Sequence, residues 1–139
     1  MNPVILSECA DCLCLASRRA ARTLTRAYDR ELRTFDIRAT QFTVLVMLLL
    51  RGPTAIGDLA DALGMERTTL TRNLALLESR GWIELRPGED DARVRVVKVT
   101  RSGSRRVEEA FPAWRSAQAK AAARIGAKSV AAMQALSRA

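Results

Sequence analysis

Apolar and polar positions alternate along this chain with two different periods. From about Ser7 to Phe35, Leu13, Ala20, Leu24, Tyr28, Leu32 and Phe35 recur at three- and four-residue steps, with Arg18, Arg22, Arg26, Asp29 and Arg33 on the other side. The spacing predicts one long amphipathic helix. The run "ATQFTVLVMLLLRGP", Ala39 to Pro53, is apolar nearly all round and closes on Gly-Pro, as a buried central helix does. A short segment, Thr54 to Ile56, leads to two brief helical stretches, "IGDLADALG" and "ERTTLTRNLALLESRG". Leu59 and Leu63 mark one face of the first, and Leu70, Leu74 and Leu77 form a stripe along the second. A helix-turn-helix needs a small residue where its helices meet, a permissive residue at the turn and an apolar anchor beneath the second helix. Ala60, Gly64 and Leu70 stand at those offsets.

After Gly81 the period changes to two: "WIELR", a polar turn "PGEDDAR", then "VRVVKVT". A basic β-hairpin following a helix-turn-helix is a wing. From Arg101 onward the larger apolar side chains are Val107, Phe111, Trp114, Ile125, Val130, Met133 and Leu136, which predict one or two helices, with Pro112 bending or interrupting the first. The fold class is therefore mainly α with a small β-hairpin wing, a winged helix-turn-helix.

Composition narrows the function. The 139 residues make one domain, and no apolar run approaches the roughly 18 residues of a membrane span. The first residues lack the basic-then-apolar pattern of a secretory signal, so a cytoplasmic location with reduced thiols, and no membrane partner, is expected. The formal net charge is +8 with no histidine, which removes the commonest general base and the commonest metal ligand. That argues against an enzyme, and nothing in the sequence calls for a cofactor. So basic a chain attracts polyanions, double-stranded DNA first among them. On the second helix of the pair, Arg67, Thr68, Thr69, Thr71 and Arg72 lie near the N-terminus, where recognition-helix side chains reach base edges and phosphates. On the hairpin, Arg93 and Arg95 suit the negative potential of the minor groove, and Asp91 stands two residues before Arg93, placed to orient its guanidinium.

Taken together, the stretch from "IGDLADALG" through "DDARVRVVKVTRSG" resembles the winged-helix core of the MarR family of transcriptional regulators, and the resemblance extends over the whole chain. It implies a homodimer whose N- and C-terminal helices (residues 1–36 and 101–139) intertwine, carrying a DNA-binding lobe (37–100) to each half of a pseudo-palindromic operator. It further implies a repressor released by a small effector or by oxidation. Family effector pockets lie between the dimerisation helices and the lobe, which makes Tyr28, Phe35, Phe42 and Met47 candidates, beside their plainer role in the core. A winged-helix protein-interaction module that never reads DNA is the rival from another class.

All three cysteines, Cys9, Cys12 and Cys14, fall within "ECADCLC". On a continuous helix Cys9 and Cys12 share a face, whereas Cys14 lies about 200° round from Cys12. Three such thiolates cannot converge on one ion, so a soft metal or metalloid site made of Cys9, Cys12 and Cys14 requires the chain before Leu13 to unwind, or a thiol from a second subunit. "CLASRRAARTLTRAYDREL" resembles the first helix of the family's organic-hydroperoxide-sensing branch, which implies Cys14 as the sensing thiol and Tyr28 as its hydrogen-bond donor. Along one helix those residues stand about 21 Å apart, so they meet only across a dimer. The branch's second tyrosine is replaced here by Ala39, and any resolving thiol is Cys9 or Cys12. Free cysteines also serve simply as small packing residues.

Overall fold

The structure, a computed structural model, describes residues 3–139. A short helix α1 (Pro3–Ser7) and a 3-10 turn (Glu8–Asp11) precede α2 (Leu13–Leu32), so the single helix expected from Ser7 to Phe35 is broken. The break is at Cys12, whose ψ of 120° is extended. Every side chain from residue 3 to residue 22 is exposed. Short helices in water depend on packing of their apolar face, and none of the described residues at this end is buried. At the other end a second 3-10 turn (Arg33–Phe35) stops on Asp36, whose φ of 50° is left-handed.

Helix α3 (Ala39–Arg51) starts where the Asp29 carboxylate accepts the Ala39 N–H at 2.7 Å and Gln41 Oε1 accepts the Arg38 N–H at 3.0 Å. It buries Phe42, Val44, Leu45 and Leu48. It is not buried all round, however, because Leu50 is 78% exposed. One face of α3 meets the rest of the lobe, while Thr43, Leu49 and Leu50 are exposed.

Thr54–Ala55 is a strand, β1, and not merely a connector. With β2 (Ile83–Pro87) and β3 (Arg95–Val99) it forms an antiparallel sheet in the order β1-β3-β2, with Thr54 and Leu85 both opposite Val97. Between them run α4 (Ile56–Leu63) and α5 (Arg67–Ser79). After the sheet come α6 (Arg101–Ile125) and α7 (Ala127–Ser137). Pro112 costs α6 a backbone bond yet does not interrupt it, since Val107, Ala110 and Ala117 are buried on both sides of the proline. The helix ends at Gly126, whose φ is 83°.

The start of α6 is tied to the wing. Thr100 Oγ1 accepts the Gly103 N–H at 3.1 Å and donates to the Gly81 carbonyl at 2.6 Å. Gly103 passes so close to the Trp82 carbonyl that any side chain there would collide with backbone. The core itself is continuous from Leu32 through the α3, α4 and α5 leucines to Val97 and Ala110. This architecture is a winged helix-turn-helix, mainly helical with a small sheet.

Candidate nucleic-acid interface

The recognition unit is built from a few locally determined features. α4 closes on Gly64 at φ 61°, where Gly64 N–H donates to Asp61 O and Met65 N–H to Ala60 O at 2.9 Å, the paired bonds of a left-handed helix stop. Ala60 is buried at the crossing, and Leu70, Leu74 and Leu77 anchor α5 beneath it. With that stripe inward, Arg67, Thr68, Thr69, Thr71 and Arg72 are all exposed on the other side.

These side chains are not equivalent. Thr71 Oγ1 donates to the Arg67 carbonyl at 2.8 Å, which leaves it an acceptor and a methyl for any ligand. The hydroxyls of Thr68 and Thr69 make no such bond among the described residues. The Arg67 guanidinium folds back over Gly57 at the start of α4, and a methyl on Gly57 would overlap it. A side chain at position 57 would push the guanidinium elsewhere, so the bare backbone of Gly57 gives it room, a relation that no local sequence pattern announces.

The wing tip is held from within. Asp91 accepts the backbone N–H of Arg93 at 3.0 Å and its Nε at 3.2 Å, with Nη2 at 3.3 Å. These bonds, the side-chain one foremost, keep the Asp91 carboxyl below the usual aspartate range. The Arg93 side chain itself is 92% exposed, so the carboxylate aims it without covering it. Gly88 is required beneath the tip, since a Cβ there would stand 2.7 Å from the Asp91 carbonyl.

A cleft of about 560 Å³ opens between the start of α4, the start of α5 and the wing. Arg67, Thr71, Arg93 and Arg95 line it, and Asp58 is its sole acid. Three guanidinium groups thus surround one concave surface, with Thr68, Thr69 and Arg72 on the adjoining exposed face.

The cysteines are placed otherwise than a continuous helix allows. Cys9 lies in the 3-10 turn, Cys12 at the break and Cys14 in the first turn of α2, all exposed. Although the chain does leave the helix before Leu13, no three His, Cys, Asp or Glu side chains gather to hold a metal ion among the described residues. Cys14 and Tyr28 are not brought together within the chain. Tyr28 donates its hydroxyl instead to Gln118 of α6, and burial raises its pKa. Of the effector candidates, Phe42 is 2% exposed and stacks on Trp114, while Tyr28, Phe35 and Met47 are partly buried against the hydrophobic core.

Sequence reasoning missed one feature altogether. Arg80 donates through one Nη1 to the Asp36 carbonyl at 2.6 Å and to its carboxylate at 2.9 Å. Arg106 donates to the Phe35 carbonyl at 3.0 Å. Both guanidinium groups lie on the Trp82 ring, 4.9 and 5.4 Å from its centroid. The end of α2, the end of α5, the wing and α6 thus meet at a single stack.

The chain is similar to known proteins in sequence and in fold. The sequence profile described as the MarR family matches residues 35–94. An uncharacterized HTH-type transcriptional regulator of Bacillus subtilis, YwoH, is 31% identical over 91 residues, 66% of each chain, so the match spans just under two thirds of that relative. The M. tuberculosis transcriptional regulator MosR, solved in complex with DNA, superposes with a TM-score of 0.79 at 35% identity, over 92% of this chain and 97% of that one. A cysteine-to-serine mutant of E. coli MarR, solved with operator DNA, superposes with a TM-score of 0.81 at 25% identity, over 96% of this chain and 95% of that one. No helix among the described residues is long and apolar enough to cross a membrane.

Proposed function

The chain belongs to the MarR family, and from that premise we propose that it is a transcriptional regulator, not an enzyme, which binds double-stranded operator DNA as a homodimer in the cytoplasm. Residues 37–100 form its DNA-binding lobe; residues 1–36 and 101–139 supply the dimerisation helices. The observation that carries this reading is the gathering of Arg67, Thr71, Arg93 and Arg95 around one cleft beside an exposed recognition-helix face. Arg67, Arg93 and Arg95 hold phosphates, whereas Thr68, Thr69, Thr71 and Arg72 face the bases of the major groove. Asp91 fixes the wing arginine. Repression by occupancy of the operator, relieved by an effector, is the regulatory mode that fits the fold.

The test is fluorescence anisotropy on a duplex selected by the protein from random sequence, across a range of salt. Binding should fall steeply with salt, and Arg93→Ala should flatten the slope by about one unit for each phosphate left unneutralised. Anisotropy unchanged by the protein at every salt concentration would instead favour a protein-interaction module.

Thiol oxidation as a release signal is favoured by one further observation. The Cys12 N–H donates to the Cys9 carbonyl at 3.2 Å, closing a turn that sets the two Cα atoms about 6 Å apart, inside the range a disulfide spans. A hydroperoxide would oxidise one thiol to sulfenic acid and leave as an alcohol; the second thiol would then displace water and close the bridge. Peroxide should release the wild type but spare the variant lacking the responsible thiol. Equal release of Cys9→Ser, Cys12→Ser and Cys14→Ser would remove the cysteines from the account.

A further inference from the structure

Gly57 is the second residue of α4, inside the helix and not among the glycines of positive φ. Nothing in its backbone conformation calls for glycine, and alanine at a helical position favours the helix. A Cβ built there would meet one side chain only, overlapping Arg67 Nη2 and standing 3.2 Å from Cζ. Arg67 is itself placed against local preference. It is the first residue of α5, where the helix dipole disfavours a cation, and its guanidinium forms no ion pair or hydrogen bond among the described residues. Each of the two works against the helix that carries it, and they meet in the cleft between α4, α5 and the wing. Local choices that oppose their own element are expected at functional sites.

We propose that Gly57 is a positioning residue for DNA binding: its bare backbone lets the Arg67 guanidinium lie along the start of α4, where it meets a phosphate entering the cleft. The assignment rests on the regulator reading above and says how one of its contacts is aimed. The arginines of the cleft are thus aimed by opposite means. Asp91 holds Arg93 by charge and hydrogen bonds, whereas Gly57 serves Arg67 by leaving space, with every guanidinium N–H still open to a ligand. A side chain at position 57 leaves the fold intact, because the atoms it would strike are the far end of a flexible side chain. Only the guanidinium has to move. Binding must then order a displaced side chain, and that cost comes out of the affinity.

The test compares the full-length wild type, Gly57→Ala, Arg67→Ala and the two changes together, by anisotropy across salt on the selected duplex and on a scrambled one. Gly57→Ala should melt at or above the wild-type temperature. It should nevertheless bind about three- to tenfold more weakly, with a salt slope flattened by about one unit. A phosphate contact carries no sequence information, so both duplexes should lose affinity by the same factor. In the Arg67→Ala background the glycine change should add nothing. The Arg67 Nε–H signal of the free chain should shift in Gly57→Ala, a readout that needs no DNA. Wild-type affinity and slope in Gly57→Ala, or in Arg67→Ala, overturn the proposal. So does a loss that persists without the Arg67 side chain, because the DNA would then approach the bare backbone itself. A lowered melt overturns it too, by making the glycine a requirement of the fold. Absence of salt-dependent binding by the wild type to either duplex would overturn the regulator reading, whereas an unmoved Nε–H signal overturns the positioning role whatever the DNA does.

Discussion

The lobe around α3–α5 and the terminal helices are built on opposite terms. All the buried apolar side chains except Leu32, Val107, Ala110 and Ala117 lie within residues 37–100, whereas in the terminal helices Val4 is 73%, Leu13 84% and Leu136 73% exposed. One region closes its own core. The other holds apolar surface that only a further body can cover, which is the condition for an interface. The lobe should therefore owe its stability to its own sequence, and the terminal helices to association, as the proposed homodimer requires.

Substitutions can break or sharpen this contrast. The largest effect should come from the lobe: Leu74→Ala, at 1% exposure, should cost about 2–5 kcal/mol in urea unfolding, independent of protein concentration. A cost that vanished at high concentration would erase the distinction. Next, Leu13→Ser should leave the lobe's melt alone and weaken dimerisation by about 1.5–3 kcal/mol per side chain covered, read by sedimentation equilibrium. Arg72→Ala should lose about 1–3 kcal/mol of operator affinity with no change in either property.

The smallest effect belongs to Asp91→Asn, which should loosen Arg93 and weaken operator binding less than Arg93→Ala does. Its pH dependence has a definite sign. A carboxyl held below its ordinary pKa contributes fully above that ordinary value, about 3.9, and loses its contribution as pH falls through the lowered one. Wing order, followed by the Arg93 Nε–H signal, should stay constant from neutrality down to mild acid and fail only in stronger acid. Loss of that signal above about pH 5 would contradict the assignment.

The lobe was also the more legible region, for the same reason. Leu70, Leu74 and Leu77 repeat at helical spacing because each meets a partner in the same chain, and Gly64 marks the turn because its backbone is left-handed. β1 escaped notice because two residues are too few to show a period. The break at Cys12 was invisible since an exposed segment obeys no pattern of burial. Pairings across long stretches of chain were equally hidden. Tyr28 meets Gln118, and Trp82 lies between Arg80 and Arg106, through tertiary placement alone. The exposed recognition face was readable from its residue types, while the position of Arg67 over Gly57 required the fold.

The measurement that tests the central claim most directly is a hydroxyl-radical footprint on the selected duplex, with the number of bound chains counted by analytical ultracentrifugation. Two chains per duplex should protect two segments centred about one helical turn, roughly 10 bp, apart or a multiple of it. A single protected half-site bound by one chain, or uniform protection without register, would contradict it.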